Sequence, residues 1–329
     1  MTEIYSGKIA LVFPGGGSQY VGMGRDLYET SPAARRVFET ADRVLGFGIT
    51  ALCFEGPEPT LTDAHNSQPA MLTTSIACLA ALEEKLGQSG KCLTPAFVAG
   101  HSQGEYSALV AAGSLAFEDA LCLVRKRGWL MRCAGEVYPG GMAAVMGLDD
   151  AALEQVCREA STKGMICIAN YNCPGQLVIS GEEEALKEAM SLATSRGAKR
   201  VVRLAVTIGS HSPLMRPATV DFAKAVMEAN IADARIPVIA NLSARPITRA
   251  AEIKQELADQ LCNSVLWAQS VQHMIDAGVD TFLEIGPGNT LTGLIRRISR
   301  DVKVQNLGDR KSIDAFVASY SQADEQSAA

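Results

Sequence analysis

The chain has 329 residues, of which 47% are hydrophobic and 20% charged, and it carries a net charge of −6. This length exceeds that of most single domains, so we expect a large α/β domain with an insertion, or two domains. The acidic balance argues against a general affinity for nucleic acid or anionic membrane, and no run approaches the roughly 18 apolar residues of a membrane span. Nine singly scattered cysteines argue against a disulfide framework or a zinc site and favour a reducing, cytoplasmic location.

Short apolar runs alternate with helical patterns along the chain. The first strand is predicted at 9–13 and ends in a glycine-rich turn, and helical patterns follow around 24–46 and 67–87. Further strands are predicted at 96–99, 237–241 and 281–285. Apolar strands alternating with helices indicate an α/β fold with a parallel sheet covered on both faces.

The interval from 141 to 205 has a different order of elements, β-α-β-β-α-β. Its strands are the runs MAAVMGL, MICIAN, GQLVISG and RVVRLAV, and its helices are predicted at 151–162 and 182–196. This order is typical of a ferredoxin-like unit. We therefore predict an inserted small subdomain over 136–205 and a large subdomain formed by 1–135 and 206–315. A flexible tail is predicted over 316–329.

A serine bracketed by glycines follows the second predicted strand, in the run GHSQG at 100–104. Gly-x-Ser-x-Gly between a strand and a helix is typical of a nucleophile elbow, whose glycines permit a sharp turn that exposes the hydroxyl. Ser102 would lie at a helix N-terminus, where free N–H groups favour developing negative charge. An ordinary βα loop would explain the same pattern, so the assignment depends on finding a base.

Four histidines are available as that base. His101 adjoins the serine and should point away from it, while His65 lies in a polar loop and His273 in a predicted helix. His211 stands in TIGSHSPLM, where a strand ends and Ser-Pro can open a helix, and catalytic groups collect at such strand ends. An α/β-hydrolase is disfavoured, because the ferredoxin-like unit fills most of the interval in which its acidic residue would lie.

A positive charge falls on the apolar face of the helix predicted at 117–133. Arg127 lies three residues after Val124 and four before Met131, on a stripe with helical spacing. A buried guanidinium needs an anion, because an unpaired buried charge is costly. A structural carboxylate would suffice, but beside a nucleophilic serine a substrate carboxylate is the sharper candidate, since arginine can bind it with two parallel hydrogen bonds.

With these residues identified, the chain resembles the malonyl-CoA:acyl carrier protein transacylase family and the related acyltransferase domains of polyketide synthases. The matching motifs run in order along nearly the whole chain: FPGGGSQYVGMG, TDAHNSQPA, GHSQGEYSAL, RKRGWLMRCA, NYNCPGQLVISG, GSHSPLM, NSVLWAQSV and FLEIGPGNTLTGL. The resemblance implies a hydrolase-like parallel-sheet core with an inserted ferredoxin-like βαββαβ subdomain.

The resemblance also implies a ping-pong acyl transfer in fatty-acid or polyketide biosynthesis. Ser102, activated by His211, would attack the thioester of an acyl-CoA, and the acyl group would pass to the phosphopantetheine thiol of an acyl carrier protein. Arg127 would hold the carboxylate of a malonyl group, and the backbone carbonyl of Leu266 would orient the histidine. No bound cofactor and no metal is expected, because the CoA thioester is a substrate.

The remaining site residues are carried over from the same motifs. The oxyanion hole would use the backbone N–H groups of Gly16 and Gln103. Gly16 replaces the family's usual glutamine, which leaves the backbone donor but removes the side chain. Substrate binding and specificity are assigned to Gln68, His101, Ile208 and Ser210.

Several alternatives stay open beside malonyl transfer. Ser210 before the histidine also occurs in methylmalonyl-type domains, although Ile208 is not the tyrosine of their signature, so methylmalonyl or a larger extender unit is the main alternative. A proofreading hydrolase of acyl carrier proteins would have the same fold but no use for Arg127. A nucleotide-binding protein is disfavoured, because the glycine loops lack the GxGxxG and P-loop spacings. The arginines at 296, 297 and 300 could contact an acidic carrier protein or form a solvated helix face.

Overall fold

The structure is a computed structural model that describes residues 7–327, with side chains described to residue 321, and these residues form two β-sheets. The strands of the larger sheet are β1 (Lys8–Phe13), β2 (Phe97–Gly100), β7 (Val238–Ile239), β8 (Pro246–Ile247), β9 (Val279–Ile285) and β10 (Lys303–Leu307). Those of the smaller sheet are β3 (Gly140–Met146), β4 (Ile166–Cys173), β5 (Gln176–Glu182) and β6 (Arg200–Arg203).

The helices cover both sheets. They are α1 (Arg25–Thr30), α2 (Pro32–Leu45), α3 (Ile49–Glu55), α4 (Glu58–Thr62), α5 (Ala64–Gln88), α6 (Gly104–Ala111), α7 (Phe117–Val137), α8 (Asp150–Ala160), α9 (Glu183–Ser195), α10 (Arg216–Glu228), α11 (Ala250–Asp259), α12 (Trp267–Asp276), α13 (Thr290–Ile298) and α14 (Arg310–Ser327). None of the helices in the described part of the chain is both long and apolar enough to cross a bilayer.

The larger sheet has the order β10-β9-β1-β2-β7-β8 and is parallel except for β8, which pairs antiparallel with β7. Five of the six residues of β1 are buried, as expected for a central strand covered on both faces. The predicted α/β class with a parallel sheet is confirmed. Because the strands are parallel, the carboxyl ends of β1, β2, β7 and β9 meet at one edge, where sites form in such sheets.

The smaller sheet has the order β4-β5-β3-β6 with every pairing antiparallel, which is the predicted ferredoxin-like arrangement. Alternate residues of its strands pack against α8 and α9 in an apolar core of their own. Strand β4 also pairs with the other part of the chain, since Tyr171 N donates to Val265 O at 2.9 Å and Val265 N donates to Ala169 O at 2.8 Å. These bonds hold the smaller sheet beside the carboxyl edge of the larger one.

The C-terminal segment differs from its prediction. Residues 316–327 are not a flexible tail but the continuation of α14, which begins at Arg310. Ile313, Phe316 and Val317 bury their side chains against the large core, and their helical spacing supplies an apolar stripe. Residues 328 and 329 lie outside the described residues.

Candidate active site

The serine turn joins the end of β2 to the start of α6 and passes close to the end of β1. A Cβ atom added at Gly100 would lie 2.0 Å from the carbonyl carbon of Gly104, and one added at Gly104 would lie 2.3 Å from the carbonyl oxygen of Phe13. Any larger residue at these two positions would push the strand and the helix apart. Ser102 itself has a φ of 53°, a left-handed conformation that costs free energy for a residue with a side chain.

Asn241, just beyond β7, holds the backbone of this turn. The Ser102 N–H donates to Asn241 Oδ1 at 2.7 Å, and Asn241 Nδ2 donates to the Gly100 carbonyl at 2.7 Å. The two bonds bracket the strained serine and offset the cost of its conformation. Sequence reasoning missed this residue, and its only signal was a polar side chain at the end of a predicted strand.

His211 lies directly opposite the serine. Its Nε2 atom is 2.7 Å from Ser102 Oγ, and its Nδ1 atom is 3.1 Å from each of the carbonyl oxygens of Gln260 and Asn263. Because carbonyl oxygens only accept, Nδ1 carries the proton and Nε2 is left to accept from the serine hydroxyl. Like the serine, His211 has a positive φ, of 57°.

The prediction that the Leu266 carbonyl orients the histidine is wrong. Leu266 is the residue before α12, so its carbonyl accepts the first hydrogen bonds of that helix, from Ser270 N and Ser270 Oγ, both at 2.9 Å. The acceptors for the histidine are instead the carbonyls of Gln260 and Asn263, which lie six and three residues earlier in the chain.

The surroundings of His211 keep its imidazole neutral. Burial is the largest cause, and the positive charge of Arg127 and the nearby His101 add to it, which together lower the pKa of His211 from 6.5 to about 3. A neutral imidazole with a free Nε2 can accept the serine proton at neutral pH.

Arg127 projects from α7 to the other side of the serine and is only 1% exposed. Its Nη1 donates to Gln68 Oε1 and its Nη2 to Gln260 Oε1, both at 2.9 Å, and Nη2 is 3.4 Å from Ser102 Oγ. Within the described residues it has no carboxylate at ion-pair distance. Burial lowers the pKa of Arg127, yet a guanidinium remains charged across the physiological range. The side-chain amides that bond directly to this buried cation are therefore neutral, and the carboxyl group of Glu105 acts on it only at longer range.

Two further residues connect these groups. Gln260, in the 3-10 turn Gln260–Cys262, donates from Nε2 to the Ser102 carbonyl at 3.1 Å and to Glu105 Oε2. Glu105, in the first turn of α6, accepts from Asn241 N at 3.1 Å through its other oxygen. Burial and the nearby Glu256 raise the pKa of Glu105, while the hydrogen bonds from Asn241 and Gln260 act in the opposite direction. Both connecting residues were missed from the sequence.

The loop after β1 lies beside the serine turn. A Cβ atom at Gly15 would be 2.3 Å from the carbonyl oxygen of His101, so the two backbones are in contact there. In the described part of the chain, no acceptor takes a hydrogen bond from the backbone N–H of Gly16 or of Gln103. The Gln103 side chain is buried, and neither of its amide atoms has a hydrogen-bond partner among the described residues. The assignment of these two N–H groups to an oxyanion hole stays a prediction.

The remaining predicted specificity residues are His101, Ile208 and Ser210. His101 turns away from Ser102, as expected, with its Nε2 atom 2.8 Å from Asn172 Oδ1. Ile208 is half-buried and packs near α7, and the half-buried Ser210 directly precedes the histidine. No group of histidine, cysteine and acidic side chains in residues 7–321 is arranged to hold a metal ion, and all nine cysteines are unpaired.

Comparison with known proteins gives the family. The family model described as acyl transferase domain matches residues 10–318. The chain belongs to this acyl transferase family. Among the relatives of this acyltransferase, the malonyl CoA-acyl carrier protein transacylase of Bacillus subtilis (strain 168) is 46% identical over 311 residues, which cover 94% of this chain and 96% of that protein.

Solved structures agree with this assignment. The malonyl CoA-acyl carrier protein transacylase from Coxiella burnetii has a TM-score of 0.91 and 35% identity, over 97% of this chain and 99% of that one. A malonyl-transacylase solved in complex with its type II PKS acyl-carrier protein has a TM-score of 0.90 and 37% identity, over 94% of this acyltransferase and 99% of that chain.

Proposed function

We propose that this acyltransferase moves a malonyl group from coenzyme A to an acyl carrier protein through an ester on Ser102. The observation that carries the proposal is Arg127, a fully buried cation with neutral partners whose Nη2 atom is 3.4 Å from the serine hydroxyl. A cation placed there can bind the free carboxylate of a malonyl group while the thioester lies at the serine. A simple acyl group, or a hydrolase acting on one, would leave that charge without a directly bonded anion.

In the first half-reaction, His211 Nε2 accepts the proton of Ser102 Oγ as the oxygen attacks the thioester carbonyl carbon. The negative charge of the tetrahedral intermediate would be stabilised by the N–H groups of Gly16 and Gln103. The intermediate then collapses by breaking the carbon–sulfur bond, and the proton on His211 passes to the sulfur of coenzyme A. The carbonyls of Gln260 and Asn263 stabilise the imidazolium that exists between the two proton transfers.

The second half-reaction repeats these steps with a different nucleophile. His211 accepts the proton of the phosphopantetheine thiol, the sulfur attacks the ester carbonyl, and the proton returns to Ser102 Oγ as the carbon–oxygen bond breaks. Coenzyme A thioester is thus a substrate and not a resident cofactor. The names of the relatives support malonyl-CoA and an acyl carrier protein as the two substrates.

Three narrower points remain predictions within this proposal. Malonyl is preferred over methylmalonyl or a larger extender unit, with Gln68, His101, Ile208 and Ser210 bounding the acyl group. The pathway is fatty-acid or polyketide biosynthesis. The location is cytoplasmic, a prediction that rests on the scattered cysteines.

Intact-protein mass spectrometry after exposure to separate acyl-CoAs tests the proposal. Malonyl-CoA should give a single adduct of malonyl mass that disappears when a phosphopantetheinylated carrier protein is added. Ser102→Ala is the control and should gain no mass. Absence of a malonyl adduct on the wild-type protein, or an adduct that persists in Ser102→Ala, would show that the proposed chemistry is wrong.

A further inference from the structure

Glu105 is buried beneath the serine turn and has no hydrogen bond to Ser102 Oγ, yet both of its oxygens accept from residues that organise the site. One oxygen accepts from the backbone N–H of Asn241, whose side chain brackets the serine. The other accepts from Gln260 Nε2. The mechanism above gives this carboxyl group no role.

The side-chain amide of Gln260 contacts acceptors at its nitrogen and a donor at its oxygen. Its Nε2 group faces two acceptors, the Ser102 carbonyl and Glu105, while its Oε1 atom faces Arg127 Nη2, which can only donate. If the amide were rotated by half a turn, its NH₂ group would face the guanidinium and its oxygen would face two other oxygens. The amide orientation is therefore decided by the groups around it.

We propose that Glu105 is a positioning residue for acyl-group selectivity: it orients the Gln260 amide so that the amide oxygen holds Arg127 beside Ser102. The inference rests on the proposed function, because Arg127 matters to selectivity only if it binds a carboxylated acyl group. A carboxylate suits this place because it presents acceptors to both Gln260 and Asn241. Any neutral amide would turn a donor toward one of them.

Glu105→Gln tests this with little change of shape. If the new amide keeps its oxygen toward Asn241 N, its NH₂ group meets Gln260 Nε2, and Gln260 must rotate and present a donor to Arg127. We expect the KM for malonyl-CoA to rise and the ratio of kcat/KM for malonyl-CoA over acetyl-CoA to fall about tenfold, the effect of one hydrogen bond to a charged group. The acetyl-CoA value should change little.

Glu284→Gln is the matched control, since Glu284 is a second buried carboxyl that accepts from Leu291 N and Thr292 N at the start of α13 and has no hydrogen bond to Gln260 or Asn241. It should leave the selectivity ratio at the wild-type value. Gln260→Leu, which keeps its backbone carbonyl for His211, should lower the ratio as Glu105→Gln does. The double variant should then have the selectivity of Gln260→Leu alone, because the two residues act in series.

The outcomes separate the two proposals. A wild-type protein that forms no malonyl-serine would contradict the proposed function. A wild-type protein that loads malonyl, together with an unchanged malonyl-to-acetyl ratio in Glu105→Gln, would overturn the positioning role, even if kcat fell equally for both substrates. If Glu105→Gln does not fold, an unchanged ratio in Gln260→Leu would overturn it in the same way.

Discussion

Replacement of Arg127 by alanine should abolish most of the preference for malonyl-CoA while sparing the serine chemistry. A carboxylate bound through two parallel N–H groups makes two charge-assisted hydrogen bonds, each contributing about 1.5–3 kcal/mol. Their loss raises the barrier by about 3–6 kcal/mol, which lowers kcat/KM for malonyl-CoA by about 10²- to 10⁴-fold. Acetyl-CoA has no carboxylate, and Ser102 and His211 contact each other directly at 2.7 Å, so its acylation rate should persist.

The substitution also affects stability. Arg127 is the donor to Gln68 Oε1 and to Gln260 Oε1, and each unpaired buried acceptor costs about 1–3 kcal/mol unless water enters the space. Thermal unfolding must therefore be measured beside activity. Arg125→Ala is the matched control, because Arg125 lies on the same helix but donates to His65 O and Asn66 Oδ1.

The assay is the rate of acyl-enzyme formation with malonyl-CoA and with acetyl-CoA, followed by quenched-flow mass spectrometry. Arg125→Ala should keep the wild-type ratio of the two rates, and Arg127→Ala should lose most of the preference for malonyl-CoA. The reasoning is refuted if a folded Arg127→Ala protein loads malonyl at the wild-type rate. Parallel loss of both rates would also refute it, because the guanidinium would then serve the serine and not the acyl carboxylate.

Four other measurements have outcomes set by contacts in the structure. Acylation by an acyl-CoA whose acyl group is uncharged should keep its rate from about pH 8 to about pH 5, because His211, with a pKa near 3, stays neutral over that range. A fall in the rate near pH 6.5 in stopped-flow assays would contradict this. In Arg127→Ala the loss of acylation rate at low pH should begin at a higher pH, because the substitution removes a positive charge that lowers the pKa of His211. Asn241→Leu should lower the free energy of unfolding by about 2–4 kcal/mol in urea titrations, since it removes both bonds that bracket Ser102, and an unchanged midpoint would count against it. Glu284→Ala should cost a similar amount, about 2–4 kcal/mol, because its carboxylate caps the first N–H groups of α13, yet it should leave the malonyl-to-acetyl ratio unchanged.

Much of the fold could be predicted because the central strands are apolar runs that are buried in the structure. The edge strands β8 and β10 could not. β8 has two residues and begins with proline, and β10 is a half-buried run, KVQNL, with polar residues in its middle. The C-terminal helix was missed because its polar end, SQADEQSAA, conceals the apolar stripe that precedes it.

The candidate catalytic residues could be predicted from the sequence because each departs from the pattern of the residues around it. Ser102 lies in a glycine turn, His211 lies at a strand end, and Arg127 lies on an apolar stripe. Glu105, Asn241 and Gln260 carry no such mark, because their roles depend on contacts between residues more than a hundred positions apart. Position in a motif likewise could not show which carbonyl faces the histidine, since that depends on where α12 begins.

The position of Arg127 links substrate recognition to the strength of the base. Its charge is one of the causes that lower the His211 pKa, after burial. A malonyl carboxylate bound to the guanidinium would compensate that charge and make protonation of His211 Nε2 more favourable at the moment the serine gives up its proton. An acetyl group brings no negative charge, so His211 is a weaker base when acetyl-CoA is the substrate. If Arg127 binds the acyl carboxylate as proposed, selectivity arises in the chemical step as well as in binding, and we expect part of the effect of Arg127→Ala to fall on kcat.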